Sequence, residues 1–141
     1  RMTVESLGFT TPTKVWALAA LSDGTVVSAD SLGHVQFWDG DTGTQVATFD
    51  QNESKADVLT LAVTQDECKV FASGVDPRVV SIERPQVDKN SRNADEDIHR
   101  KWILSHALRP HTHDVKALAV CQVRDVTGCL DGSSGGAEPR E

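Results

Sequence analysis

The chain has 141 residues, of which 38% are hydrophobic and 25% charged, and its formal net charge is −7. This acidic balance disfavours a strong phosphate-binding surface, because nucleic-acid-binding proteins gather lysine and arginine in clusters, and the sequence has no such run. No apolar stretch approaches the roughly 18 residues that a membrane span needs. The three cysteines lack the C-x-x-C spacing of a zinc site and fit a reducing compartment.

A strand-rich unit that starts again after 43 residues dominates the pattern: the apolar segment at Val15 is echoed at Val58, and a third copy begins at Val115. The first unit contains the dipeptide Trp38-Asp39 between two turns rich in glycine and aspartate. A period of about 40–45 residues with a Trp-Asp dipeptide is typical of one blade of a WD-repeat β-propeller. The sequence therefore predicts an all-β fold, a partial WD-repeat β-propeller with two four-stranded blades and the start of a third.

The same pattern predicts the layout of the chain. Because a propeller ring needs roughly 4–8 blades, we expect the chain to be a fragment or truncated form of a longer protein. The polar run in the second blade is too poor in apolar residues to bury itself, so it reads as a charged surface insertion. The predicted segments are a connector or end of a preceding blade (1–14), a blade (15–49), a blade (58–108) with the insertion (about 84–101), the start of a further blade (111–123) and a flexible tail (124–141).

Blade-bracing residues are the candidate structural site in the first blade. WD-repeat blades are commonly braced by a buried set of His, Ser or Thr, Asp and Trp, because buried polar groups must be paired. Ser28 lies ten residues before Trp38, which predicts a hydrogen bond to the indole N–H, and Asp39 completes the Trp-Asp dipeptide. Leu32 and Thr11 occupy the usual Asp and His positions, so we expect no complete network.

The remaining blades carry single members of this set. In the second blade Asp76 falls in the turn position, whereas Ile82 replaces the Trp. His111 lies four residues before Val115, where the His of the third blade belongs. Trp16 is predicted to pack at a blade-core position, as is Trp38, rather than to serve as a stacking platform.

The sequence gives little support for a catalytic or metal-binding function. His111, His113 and Asp114 could ligate a metal, but no further ligands follow at the spacing that a complete site needs, which favours a structural or solvated role. Asp95-Glu96-Asp97 lies in the mixed-charge insertion and reads as solvated surface. Nucleophile-elbow, Walker and H-E-x-x-H motifs are absent from the sequence. We therefore predict no enzyme and no catalytic, cofactor or metal-binding residues.

The stretches 15–28 and 33–39, with Thr42-Gly43-Thr44 and the His111–Val115 segment, resemble the cirhin family of WD-repeat proteins. That family belongs to the nucleolar small-subunit processome. The resemblance implies a non-catalytic scaffold in the nucleus and nucleolus that supports pre-rRNA processing, maturation of small-subunit rRNA and rDNA transcription. Its partners would be other processome subunits and, indirectly, the pre-ribosomal RNA particle, with no membrane and no small-molecule substrate.

An alternative remains open, because fold does not fix function. The blades could form a generic WD-repeat adaptor outside the nucleolus, such as a substrate receptor for a ubiquitin ligase or a signalling platform.

Removal of the Trp38 side chain tests the predicted brace. We expect Trp38→Ala to lower the free energy of unfolding by about 3–5 kcal/mol, the range for deleting a buried aromatic side chain. Thermal melting of the variant beside the parent chain measures this, and a melting curve that matched the parent would contradict the prediction.

Overall fold

The computed structural model describes residues 12–85 and 101–122, which form two four-stranded antiparallel sheets with their strands in chain order. The predicted two four-stranded blades are therefore present. Blade one consists of β1 (Val15–Ala20), β2 (Thr25–Asp30), β3 (His34–Asp39) and β4 (Gln45–Asp50). Blade two consists of β5 (Val58–Val63), β6 (Lys69–Gly74), β7 (Val79–Glu83) and β8 (Ile103–Leu108).

Several predicted segments lie outside the described residues. These are residues 1–11 of the connector, residues 86–100 of the insertion and the tail at 124–141. Within the two described ranges, no helix is long and apolar enough to cross a membrane.

The two blades repeat each other in backbone detail. The register shifts between Val15 and Ala17 in β1 and between Val58 and Thr60 in β5, so each inner strand carries an irregularity at the same place. The third and fourth strands also slip at matching places, after Phe37 in blade one and after Ser81 in blade two. Because a register shift decides which side chains face the core, these repeated irregularities give both blades the same inward-facing rows.

The core lies between the two sheets, where the inward rows meet face to face. Phe37 is fully buried, and its ring stacks on Trp102 with 4.5 Å between ring centroids. Phe49 meets the edge of the same phenylalanine at 5.8 Å. Small and β-branched side chains fill the space around these rings, as in other sheet-on-sheet packings. The further buried members are Leu21, Val27, Ala29, Val35, Val58, Val70, Ala72, Val80 and Ile82.

One side chain on the outer face of β1 lies in a different environment from the one predicted. The sequence predicts a core position for Trp16, and this prediction is wrong, because the side chain is 46% exposed. Leu18 on the same strand is 68% exposed. The described residues place a second blade on only one side of blade one, so the apolar character of β1 exceeds what this structure buries.

The segment that follows β8 differs from its predicted strand. The described part of the segment that begins at Val115, up to residue 122, is not a β-strand, because no other described strand pairs with it. It nevertheless lies against blade two: the Val115 N–H donates to the Gly74 carbonyl at 2.8 Å, and the Leu118 N–H donates to Thr60 Oγ1 at 3.1 Å. Whether this segment opens a further blade stays a prediction.

Truncation of Phe37 tests the importance of the face-to-face core. We expect Phe37→Ala to destabilise the fold by about 3–5 kcal/mol, because it removes a buried aromatic side chain and leaves a cavity against Trp102. Leu18→Ala is the matched control, since Leu18 is 68% exposed, and it should shift stability by no more than about 0.5 kcal/mol. Urea unfolding followed by tryptophan fluorescence measures both, and equal midpoints for the two variants would contradict the expectation.

Candidate functional site

The predicted brace residues of blade one occupy neighbouring strands. The Trp38 indole N–H donates to Ser28 Oγ at 2.9 Å, and both residues are buried. The hydrogen bond that the sequence predicts between β3 and β2 is therefore present. Asp39 lies at the end of β3, where its Oδ1 accepts the N–H groups of Asp41 at 2.9 Å and Thr42 at 3.3 Å. It thus caps the β3–β4 turn rather than joining the buried pair.

The other two predicted residues lie apart from this pair. Asp76 caps the turn after β6, where its Oδ1 accepts the Arg78 N–H at 3.0 Å and its Oδ2 lies 3.7 Å from the Arg78 guanidinium. His111 is exposed in the segment after β8. The structure therefore brings Ser28 and Trp38 together, whereas Asp39, Asp76 and His111 lie in three separate turns or loops.

A buried carboxylate that sequence reasoning missed anchors the β2–β3 turn. Asp30 is 1% exposed and accepts the backbone N–H groups of Leu32 at 2.9 Å and His34 at 3.0 Å. The His34 ring places Nδ1 3.3 Å from Asp30 and Nε2 3.5 Å from Asp50. The family pattern places the acidic residue at position 32, which is Leu32 in this chain. The fold uses Asp30, two positions earlier, instead. The Asp-x-x-x-His spacing was the signal that could have found it.

A second missed network lies in the linker between the blades. Gln51 and Asn52 are both buried, although polar linker residues are usually exposed. The Gln51 amide donates to the Arg78 carbonyl at 2.5 Å, and Asn52 closes the linker by exchanging hydrogen bonds with the backbone of Ala56 at 2.7 and 2.9 Å. These bonds fix the path of the chain from blade one to blade two. Although Asn52 begins an Asn-x-Ser glycosylation pattern, its amide is occupied and enclosed in this fold.

Polar contacts also join the blades at the opposite end of the sheets. The Ser22 N–H and hydroxyl donate to the Glu67 carboxylate, with the hydroxyl contact at 2.5 Å. The Arg84 guanidinium donates to Asp23 at 2.5 Å and lies 4.9 Å above the Trp102 ring. The β1–β2 turn of blade one is therefore tied to the side chains around β6, β7 and β8 of blade two.

Glu67 adopts a backbone conformation that is uncommon for a residue other than glycine. Its φ of 56° matches the place of Gly24 in blade one, where φ is 87°. This conformation costs free energy for a side chain with a Cβ. The Glu67 carboxylate accepts hydrogen bonds from the Ser22 N–H and hydroxyl, contacts that a glycine at this place cannot make.

A serine–histidine pair on β8 lacks the arrangement of a hydrolytic site. Ser105 Oγ lies 2.7 Å from His106 Nδ1, and the Glu83 carboxylate lies 3.9 Å from the same nitrogen. A catalytic histidine instead uses one nitrogen for the nucleophile and the other for its orienting carboxylate. Among the described residues, no group of three or more His, Cys, Asp or Glu side chains could hold a metal ion.

Relatives in sequence share a single description. No protein-family model matches the chain. It is 34% identical over 118 residues to U3 small nucleolar RNA-associated protein 4 of Schizosaccharomyces pombe. It is also 34% identical over 117 residues to the U3 small nucleolar RNA-associated protein 4 homologs of Mus musculus and Homo sapiens. These matches cover 83–84% of this chain, which spans only 15–16% of the length of those relatives.

Solved structures decide the fold. The WD40 repeats of RRP9 match with a TM-score of 0.55 and 14% identity, over 77% of this chain and 32% of that one. The β-propeller domain of Myceliophteria thermophila Cps50 (Swd1) matches with a TM-score of 0.51 and 11% identity, over 69% of this chain and 28% of that one. The fold is a partial WD-repeat β-propeller. The fold class predicted from the 43-residue period is confirmed.

Acid titration tests the tie between Asp23 and Arg84. Burial alone raises the pKa of Asp23, but hydrogen bonds from Arg84 and Thr25 outweigh it and hold the pKa below its ordinary value of 3.8. A lowered folded-state pKa contributes stability that is complete well above pH 3.8 and is lost as the pH falls through the folded-state pKa. Asp23→Asn should therefore be less stable than the parent at pH 7, by less than about 1 kcal/mol for so exposed a pair.

The difference in stability between the two chains should narrow as the pH falls below 3.8 and through the folded-state pKa of Asp23. Urea unfolding of both chains at pH 7, 5, 4 and 3 measures the difference. Asp66 and Glu83 also have lowered pKa values, but they are common to both chains and cancel. A gap that stayed constant across this series would contradict the assignment.

Proposed function

We propose that this chain forms a non-catalytic interaction platform of WD blades that serves ribosome biogenesis in the nucleolus. Its role would be the assembly of the small-subunit processome, and through it pre-rRNA processing, the maturation of small-subunit rRNA and rDNA transcription. Its partners would be other processome subunits and, through them, the pre-ribosomal RNA particle. The observation that carries the proposal is the 34% identity, over most of the chain, to U3 small nucleolar RNA-associated protein 4 from fungi and mammals.

The physical character of the blades supports this role. Among the described residues, the polar contacts cap turns within each blade and join the two blades. They do not converge on one reactive group. The net charge of −7 suits contact with proteins better than direct contact with RNA phosphates. Propeller blades present loops from both ends of a rigid sheet, and such loops on rigid scaffolds are common binding elements.

Affinity purification from nuclear extract tests the proposal. We expect the tagged chain to recover processome subunits, U3 small nucleolar RNA and ribosomal RNA precursor, scored by mass spectrometry and reverse transcription. The full-length human relative serves as the positive control. Phe37→Ala serves as the matched negative control, because it disrupts the inter-blade core. Recovery by the full-length relative alone would assign the activity to the whole protein rather than to these blades.

Imaging of the tagged chain separates the proposal from its alternative. Nucleolar signal is expected for a processome component, whereas a diffuse or cytoplasmic signal together with no recovered processome subunits would favour an adaptor outside the nucleolus.

A further inference from the structure

One face of blade one turns away from blade two. The register places Leu18 opposite Ser28 and Ser28 opposite Gln36, so these three side chains lie on the same face of the sheet. Trp38 lies on that face too, because it follows Gln36 by two positions along β3. Phe37 lies on the opposite face, in the core between the two blades. We call the face of Ser28, Gln36 and Trp38 the free face of blade one.

The equivalent face of blade two is covered and more apolar. Ala72 and Val80 occupy the register positions that Ser28 and Gln36 occupy in blade one. Both of these blade-two residues are buried in the core against blade one. The comparison indicates that the free face is built to be covered as well, by a layer that supplies hydrogen bonds to its polar groups.

The burial of the free face points to the same conclusion. Ser28, Gln36 and Trp38 are only 3%, 4% and 5% exposed, whereas Leu18 at the side of the face is 68% exposed. The other strands in the described part of the chain belong to blade one itself or to blade two. Because a sheet face stays in contact with water until another element covers it, the centre of the free face calls for a further layer.

Gln36 shows what that layer must supply. Within the described ranges, its Oε1 is the one buried side-chain oxygen or nitrogen without a hydrogen-bond partner. The nearby Trp38 indole N–H cannot serve it, because this donor is already bonded to Ser28 Oγ at 2.9 Å. Since buried acceptors are normally paired, the covering layer should bring an N–H or O–H group to Gln36.

The segment before Pro12 has the reach and the composition for this task. Lys14 and Ser31 exchange hydrogen bonds at 3.0 and 2.8 Å, which fixes the entry of the chain beside the end of β2. Residues 1–11 span up to about 36 Å when fully extended, whereas four strands are only about 14 Å across. The segment carries four apolar residues and four hydroxyl donors, which are Met2, Val4, Leu7 and Phe9, and Thr3, Ser6, Thr10 and Thr11.

A second copy of the chain fits the free face less well. Both copies would carry a net charge of −7, which opposes their association. The sheet face offers only roughly 300 Å² of flat area, well below the roughly 800 Å² that each partner of a stable complex buries. A segment of the same chain does not need such a large area, because the covalent connection keeps it at high local concentration.

We propose that residues 1–11 fold back over the centre of the free face, pack apolar side chains on Trp38 and donate a hydrogen bond to Gln36 Oε1. The segment would cap the open side of the blade pair, as terminal repeats with a polar outer face cap other repeat proteins. The loops at the ends of the sheets, rather than the free face, would then remain for partner proteins. This proposal stands independently of the nucleolar function.

Hydrogen exchange at two indole N–H groups tests the cover. Trp38 and Trp102 are similarly buried, but Trp102 lies in the core between the blades and serves as the internal control. In ¹⁵N–¹H spectra, we expect deletion of residues 1–11 to accelerate exchange of the Trp38 indole N–H about tenfold or more and to change that of Trp102 by less than about twofold. Unchanged exchange at Trp38 would overturn the proposal. Equal acceleration of both indoles would overturn it too, because that pattern reports a general loss of stability.

A double-mutant cycle tests the hydrogen bond to Gln36. Gln36→Met keeps the length of the side chain and removes the acceptor. In the full chain it should lower the midpoint of thermal unfolding by about 4–8 °C, because the donor of the segment loses its partner. In the chain that begins at Pro12, the midpoint should stay the same or rise, because an unpaired buried acceptor has been removed. Equal shifts in the two chains would overturn the assignment of the donor to residues 1–11.

A full-length variant keeps the test decisive if the shortened chain does not fold. Leu7→Ser combined with Phe9→Ser removes apolar side chains of the segment and should accelerate exchange at Trp38 but not at Trp102. Leu108→Ser combined with Val75→Ser makes the same kind of change at exposed positions of blade two and should leave both indoles unchanged. Equal effects of the two double variants on Trp38 would overturn the proposal.

The oligomeric state decides between the segment and a second copy. We expect the full chain to sediment as a monomer. A dimer that Leu18→Glu dissociates would assign the free face to a second copy and overturn the proposal.

Discussion

The packing of one sheet against the next is the constraint on which the rest of this structure depends. Neither four-stranded sheet has a hydrophobic core of its own, since a single sheet buries nothing until another layer covers its face. The stacked rings of Phe37 and Trp102 form part of that contact. Removal of the apolar area between the sheets from water is the main favourable contribution to folding. Polar contacts fix the relative position of the two sheets.

Those polar contacts lie at both ends of the sheets and hold the blades in one relative position. At one end, the buried Gln51 and Asn52 hold the linker against the β6–β7 turn. At the other end, Ser22 and Asp23 reach across to Glu67 and Arg84. An apolar face alone permits sliding, because burial has no strong directional preference. Hydrogen bonds and ion pairs at the two ends supply the missing direction, so the loops stay in fixed places relative to each other.

Fixed loop positions are what a binding platform requires. The cavity between the blades, whose lining includes Asp23, Arg84 and Trp102, combines residues far apart in the chain, because the turns of blade one and the flanks of β7 and β8 are held together. Arg84 shows the chemistry on which the cavity is built: a guanidinium rests on an aromatic ring and pairs with a carboxylate.

Local pattern was enough to predict the strands, their turns and the Ser28–Trp38 hydrogen bond. Strand alternation, turn residues and the ten-residue spacing are all properties of neighbouring residues in one blade. The family pattern predicts an acidic residue at position 32, which is leucine here. The fold uses Asp30 instead, because its carboxylate is buried at the end of β2, where it accepts the N–H groups of the turn.

Three features depended on which faces meet in space. They are the exposure of Trp16, the burial of the linker amides, and the stacking of Trp102 on Phe37. By itself, the sequence determined the blades and their strand order, since the 43-residue repeat and the turn chemistry act locally. Only the tertiary structure decided which residues line the seam and the cavity, because those residues meet only after both sheets have formed and packed.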